Sequence, residues 1–145
     1  MKQPIDVACG FLGGTILSTE GGYRVLQHPR PGRVFSRIAD ARWFLAVNWC
    51  DRHPAPAGIL NHQGQLSFHN QAAFAVGEEA FMPMQHRRAI FDCCLSLQSG
   101  ESFTYVIQPN TGQVCQHLEV LGVDIDSRYG RVAVVRALES ALVPV

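Results

Sequence analysis

The stretch AIFDCCLSLQSGESFTYVIQPNTGQVCQHLEV, residues 89–120, repeats a pattern of strand and turn. Apolar side chains occupy every second position of residues 89–98, which is the spacing of one face of a β-strand. Residues 99–101 then supply a short loop that contains glycine, and residues 103–108 and 113–120 form two further apolar segments separated by a turn. The stretch therefore predicts an antiparallel meander of three strands.

An α-helix over residues 84–98 is the alternative interpretation of the first segment. A helix leaves Phe91 and Leu95 outside its apolar face, whereas a strand leaves only Ile90 on the wrong side. The strand is favoured because it accounts for more of the apolar positions.

The register that aligns the apolar faces of the meander also determines which side chains share its outer face. Cys93 then belongs to the core, and Cys94 shares the outer face with Cys115, His117 and Glu119. A thiolate is the nucleophilic form of cysteine and needs a basic neighbour, and a carboxylate can orient the imidazole that serves as that neighbour. The residues of this outer face are therefore candidate catalytic groups of a cysteine-dependent hydrolase or transferase.

The first half of the chain contains two further hairpin patterns and one apolar strand pattern. Residues 15–27 predict a hairpin that turns at Gly21 and Gly22, because glycine accepts the backbone angles of a tight turn. Residues 58–69 predict a second hairpin, which also turns at a glycine. Tryptophan, leucine and valine alternate along residues 41–50, so this segment is predicted to be a buried strand.

Two segments favour helices. Asn70 is suited to cap a helix and Pro83 to end one, so residues 70–83 favour a helix, although Gly77 weakens it and a strand stays open. Residues 126–142 place branched apolar side chains at helical spacing after a capping residue. We therefore predict an α+β fold: a mostly antiparallel, hairpin-built sheet of about six to eight strands with a C-terminal helix packed on one face.

The composition indicates one globular domain spanning residues 1–145, with 47% hydrophobic and 17% charged residues. Twelve basic and twelve acidic residues cancel, so no net field attracts nucleic acid or an anionic membrane. No apolar run reaches the roughly 20 residues that span a bilayer. Five cysteines without a C-x-x-C pair are typical of free thiols in a reducing compartment, so a cytoplasmic location is predicted.

A surplus of large apolar side chains points to binding. The chain has more of them than one inner sheet face requires, and such a surplus commonly lines a pocket or a dimer interface. The residues predicted to contact a ligand are Trp43, Trp49, Thr104, Arg30 and Arg33, with Thr104 placed opposite His117 in the meander. The leading hypothesis is a non-enzymatic module that binds a small molecule or a protein and self-associates as a homodimer, without a cofactor.

A zinc-stabilised interaction module is the third hypothesis. Cys50 and His53 are separated by two residues, and together with Cys115 and His117 they would complete a four-ligand site. One of these pairs lies on a predicted strand, whereas structural zinc sites usually use two pairs in tight turns. No metal site is therefore assigned.

Overall fold

The computed structural model describes residue 12 and residues 14–27, 30–98, 101–108, 116–126 and 130–138. The strands are β1 (Thr15–Thr19), β2 (Gly22–Gln27), β3 (Arg30–Phe35), β4 (Ala57–Leu60), β5 (Leu66–His69), β6 (Ser102–Ile107), β7 (Gln116–Asp126) and β8 (Gly130–Ala137). The helices are α1 (Ile38–Arg52), α2 (Gln71–Val76), α3 (Glu78–Phe81) and α4 (Met84–Leu95). Within these ranges, no helix has the length and apolar character needed to cross a membrane.

Two antiparallel sheets and the helices between and beside them confirm the α+β class. One sheet has three strands in the order β1-β2-β3, and the other has five in the order β5-β4-β8-β7-β6. Every pair of neighbouring strands is antiparallel. The strands at the two edges of the larger sheet are β5 and β6, which leaves β8 in its centre.

Helix α1 lies between the two sheets, contacting β2 and β3 on one side and β4, β7 and β8 on the other. Its buried residues include Ala41, Leu45, Ala46, Trp49 and Cys50, which follow helical spacing. The strand predicted for residues 41–50 is therefore wrong. The physical reason is that a helix covered on two sides is apolar on most of its surface, which hides the helical period.

Helices α2, α3 and α4 cover the opposite face of the five-stranded sheet. The buried residues of α4 are Arg87, Ile90, Phe91 and Cys94, which have the spacing of one helical stripe. The strand predicted for residues 84–98 is wrong, because Met84–Leu95 form a helix. The helical stripe was not recognised in the sequence because one of its members is an arginine. Its guanidinium Nε donates a hydrogen bond of 2.8 Å to the Met82 carbonyl, so the charged residue belongs to the core side of the helix.

The C-terminal helix predicted over residues 126–142 is also wrong in its described part, where residues 130–137 form strand β8. Val132, Ala133, Val134 and Val135 are all buried, because β8 is the central strand and helices cover both faces of the sheet. A strand that is buried on both faces has a continuous apolar run without alternation. Its valines fit such a strand, and their spacing also matches a helical face.

The local turn patterns of the sequence are confirmed. Residues 15–27 contain the β1–β2 hairpin, and Gly22 at its turn has a φ of 132°. Residues 58–69 contain the β4–β5 hairpin, where Gly64 has a φ of 75°. The helix favoured for residues 70–83 exists as the two short helices α2 and α3.

Strands β6 and β7 confirm the second half of the predicted meander, with a register that differs by two residues. Thr104 lies opposite Glu119 and Val106 lies opposite His117, instead of Thr104 opposite His117. A shift of two residues keeps each side chain on its predicted face of the sheet, because the side-chain period of a strand is two. Thr104, His117 and Glu119 therefore share one face as predicted.

Candidate functional site

A cavity lies between the N-terminal half of α1 and the five-stranded sheet, and we call it the Trp43 pocket. Its volume is about 350 Å³. The lining residues are Ala39, Asp40, Trp43, Asn61, His62, Ser67, Ile125 and Val132. The wall of the cavity is mainly apolar, and it is formed by the first turns of α1, the β4–β5 hairpin and the ends of β7 and β8. This size is within the range of small-molecule sites in proteins.

The uncommitted polar groups of the Trp43 pocket include hydrogen-bond acceptors, beside the indole N–H of Trp43 and the imidazole of His62, which have no hydrogen-bond partner among the described residues. Within the described part of the chain, the exposed carboxylate of Asp40 takes part in no hydrogen bond or ion pair. The Ser67 hydroxyl donates to the Ile59 carbonyl at 3.2 Å, which leaves its oxygen lone pairs to accept. The Asn61 side-chain oxygen already accepts from two backbone amides of its own turn, those of Gln63 and Gln65.

A second depression adjoins the Trp43 pocket. It has a volume of about 430 Å³ and shares Asp40 and Trp43 with the first. The remaining lining residues are Arg33, Phe35, Phe44 and Val47. The guanidinium carbon of Arg33 lies 5.4 Å from the centre of the Phe35 ring and 5.7 Å from that of Phe44, which are cation–π distances.

The five predicted ligand-contacting residues are thus divided. Trp43 and Arg33 line adjoining concave surfaces, whereas Trp49 is buried in the core between α1 and the sheet. Thr104 is exposed on β6, at the edge of the sheet. Arg30 begins β3, and its side chain lies outside the described residues.

The predicted catalytic residues are also separated. His117 and Glu119 lie on the face of β7 that is turned towards α1, and Glu119 accepts a hydrogen bond of 2.8 Å from the Arg136 guanidinium. Cys94 is fully buried on α4, across the sheet from them, so its predicted place on their face is wrong. Burial raises the pKa of the Cys94 thiol to about 11, so it is protonated at neutral pH. Cys115 lies outside the described residues.

The end of α1 forms a polar cluster next to Glu119, which consists of Trp49, His53, Glu119 and Arg136. The His53 and Trp49 rings meet edge to face with centres 4.1 Å apart, and the Arg136 guanidinium lies 5.7 Å from the Trp49 ring centre. Burial lowers the pKa of His53, and the charges of Arg136 and Arg52 lower it further, while Glu119 raises it. The cluster is therefore an ion pair packed on aromatic rings beside a neutral imidazole.

The zinc hypothesis depends in part on Cys50 and His53. Cys50 lies near the end of α1 and is buried, whereas His53 follows the helix and is half-buried. Cys50 is fully buried, and burial raises the pKa of its thiol to about 12, with a further contribution from the Asp51 charge. The Cys50 side chain lies among the apolar core residues between α1 and the sheet and not in a polar ligand cluster. No group of three His, Cys, Asp or Glu side chains within the described ranges is arranged to hold a metal ion.

Sequence reasoning missed Asp40, Ser67, Ile125 and Val132. The strand predicted for residues 41–50 hid the first of these, because a strand places positions three apart on opposite faces, whereas a helix places Asp40 beside Trp43. Ile125 and Val132 are ordinary core residues in composition, and only the fold shows that they border a cavity. Comparison with protein-family models, curated proteins and solved structures finds no match to this chain.

Proposed function

We propose that the protein is a non-enzymatic module that binds a small molecule in the Trp43 pocket and self-associates. The observation that carries this proposal is a mainly apolar cavity of about 350 Å³ whose lining includes the exposed carboxylate of Asp40, which is unpaired within the described part of the chain. Small-molecule sites in proteins combine an apolar wall with a few polar groups that orient the ligand. The pocket has this composition.

The proposed ligand has an apolar or aromatic body and an amine head group. Its body fits the wall formed by Trp43, Ile125 and Val132, which excludes water from the ligand. An amine head donates hydrogen bonds, which the Asp40 carboxylate and the Ser67 hydroxyl oxygen can accept, and its positive charge is opposite to that of Asp40. A protonated amine also gains from the Trp43 ring, because the face of an indole attracts cations.

A binding role is favoured over thiol catalysis by the state of the described cysteines. The thiol pKa of Cys50 is raised to about 12 and that of Cys94 to about 11, both mainly by burial. Cys93 is half-buried, and its pKa is also raised by burial and by the neighbouring Asp92. The Arg131 charge lowers the pKa of Cys94, but burial has the larger effect, so none of these three thiols has the depressed pKa of a nucleophile. The catalytic role of Cys115 with His117 and Glu119 stays a prediction.

Calorimetric titration with matched ligands tests the proposal. Phenethylamine and tryptamine should bind, while 2-phenylethanol should bind more weakly and 3-phenylpropionate should not bind. Asp40→Asn keeps the side-chain shape and removes the charge, so it should weaken amine binding about tenfold, equivalent to about 1.4 kcal/mol. Trp43→Ala should abolish binding.

Asp51→Asn is the matched control, because Asp51 is an exposed aspartate of the same helix that does not line the pocket. It should bind phenethylamine as the unchanged protein does. Equal binding of the amine and the carboxylate, or equal weakening by the two Asp→Asn changes, would show that the pocket does not select a cationic ligand.

A further inference from the structure

Strand β6 is an edge strand of the five-stranded sheet, and within the described part of the chain nothing pairs with its outer side. An edge strand presents a row of free N–H and C=O groups that can pair with another strand. β6 has six residues, Ser102–Ile107, and contains no charged residue, proline or glycine. Its pairing with β7 is regular over all six positions, so no bulge twists it away from a partner.

Two of the other three edge strands have features that commonly protect an edge, and the third, β1, exposes no large apolar side chain, since Ile16 is buried and Leu17 is half-buried. β5 at the opposite edge of the same sheet has four residues and a register shift against β4. β3 in the smaller sheet contains Pro31 and two arginines, and its pairing with β2 is also irregular. Short strands, bulges, proline and charge are the usual means by which proteins block edge pairing. β6 has none of these features, although its exposed side chains include large apolar ones.

Large apolar side chains are exposed on both faces of β6. Phe103 is 44% exposed on the face that α4 covers, and Val106 is 42% exposed on the face turned towards α1. Tyr105 lies two residues from Phe103 on the same face of β6 and is half-buried. Its hydroxyl lies 3.0 Å from the Nδ1 atom of His86 on α4. A strand added beside β6 would cover Phe103 on one face and Val106 on the other.

A second β6 is complementary to the first in any antiparallel register that keeps the two faces aligned. If the two-fold axis passes through Tyr105, Phe103 lies opposite Ile107 of the second copy and Thr104 lies opposite its Val106. If the axis passes through Thr104, Phe103 lies opposite Tyr105 of the second copy. Both registers place aromatic and apolar side chains together on one face and Ser, Thr or Val on the other, with no like charges opposed.

We propose that β6 pairs with β6 of a second copy of this chain, antiparallel and about a two-fold axis perpendicular to the sheet. The two five-stranded sheets then form one continuous sheet. This inference rests on the self-association in the proposed function and names the surface that carries it. The partner is a second copy because the strand is self-complementary, and because the same surface on both subunits is the rule for two-fold dimers.

Sedimentation velocity tests this pairing over protein concentrations from about 1 µM to about 500 µM, the range in which small interfaces dissociate. The unchanged protein should pass from monomer to dimer within it. Val106→Lys places a charge on each copy close to the two-fold axis, so it should raise the dissociation constant at least about tenfold. Thr104→Lys is a second test of the same edge, and its lysine faces Glu119 on β7, which favours a folded chain.

Val34→Lys is the matched control, since Val34 is a valine of edge strand β3 that is 43% exposed, as Val106 is 42% exposed on β6. It should leave the dimer intact. Three results overturn the proposal: a monomer at all concentrations, a dimer unaffected by both β6 changes, or equal dissociation by Val34→Lys. Phenethylamine titration of the Val106→Lys monomer separates the two proposals, because the Trp43 pocket does not include β6.

Discussion

Asn70 connects four segments of the chain, and its replacement by alanine should be strongly destabilising. Its side chain is buried, with 3% exposed. The Oδ1 atom accepts hydrogen bonds from the backbone amides of Ala57 at 3.0 Å and Ala73 at 2.9 Å, the second of which caps α2. The Nδ2 atom donates to the carbonyls of Cys50 and Ala55, each at 2.9 Å. One amide group therefore joins the end of α1, the following loop, β4 and α2.

The expected loss follows from the groups that Asn70→Ala leaves unpaired. A lost N-cap costs about 1 kcal/mol, and each buried backbone group left without a partner costs about 1–3 kcal/mol. Water can reach some of these groups after the change, so we expect a loss of about 4 kcal/mol in the free energy of unfolding. With an unfolding entropy of roughly 2.1 cal/mol/K per residue, this loss lowers the melting temperature by about 13 °C.

Urea unfolding and calorimetry measure the change, with Asn61→Ala as the control. The side-chain oxygen of Asn61 also accepts hydrogen bonds from two backbone amides, but its turn is exposed to water. Water therefore replaces the lost hydrogen bonds, and Asn61→Ala should lower the free energy of unfolding by less than about 1 kcal/mol. Asn70→Asp should be at least as destabilising as Asn70→Ala at pH 7, since its carboxylate would face two carbonyl oxygens. A loss below about 1 kcal/mol for Asn70→Ala, or equal losses at both asparagines, would refute this reasoning.

Three further experiments test the packing of the sheet and helices. In the native protein, Cys93 should react with a thiol reagent at pH 8 before Cys94, because Cys94 is buried and burial raises its pKa to about 11. Mass spectrometry after limited labelling measures the order, and faster labelling of Cys94 would show that α4 is rotated about its axis. Burial lowers the pKa of His53, so protons bind the unfolded chain more readily, and stability should fall as the pH drops below about 6.5. His53→Gln should flatten this fall in urea unfolding at pH 7.5 and 5.5, and an unchanged slope would exclude His53 as its source. Gly58→Ala should lower the free energy of unfolding by about 1–3 kcal/mol, because the added Cβ would lie 2.6 Å from a carbonyl oxygen of β5. Gly21→Ala is the control, since its Cβ would meet no atom within 4 Å. Equal urea midpoints for the two variants would contradict this packing.

The elements that the sequence predicted correctly are those whose information is local. The β1–β2 and β4–β5 hairpins turn at glycines with positive φ, and the residue types at such turns are visible in a few letters of sequence. Asn70 caps α2 as its residue type suggests. The faces of β6 and β7 were also correct, since alternation survives a register error of two residues.

The elements that the sequence predicted wrongly are those whose pattern depends on what covers them. α1 lies between two sheets and β8 lies between two layers of helices, so each is apolar beyond a single face and loses its diagnostic period. Arg87 breaks the apolar stripe of α4 and is nevertheless buried, because its guanidinium finds a carbonyl partner. The error in α1 also affected the prediction of the candidate site. Trp43 was predicted to bind a ligand because its side chain is large and apolar, but Asp40 lies next to Trp43 only when the segment is a helix.

The two proposed surfaces lie far enough apart to act independently. The Trp43 pocket reaches β7, the neighbour of β6, at Ile125, which lies four residues beyond Leu121, the residue opposite Ser102 at the start of β6. At roughly 3.4 Å per residue, Ile125 is about 14 Å beyond the end of β6 along the strand direction. Pairing through β6 does not use the pocket lining in either copy, because none of the lining residues lies on β6. Amine affinity should therefore be the same at protein concentrations where the chain is monomeric and dimeric, and a concentration-dependent affinity would place the pocket at the interface instead.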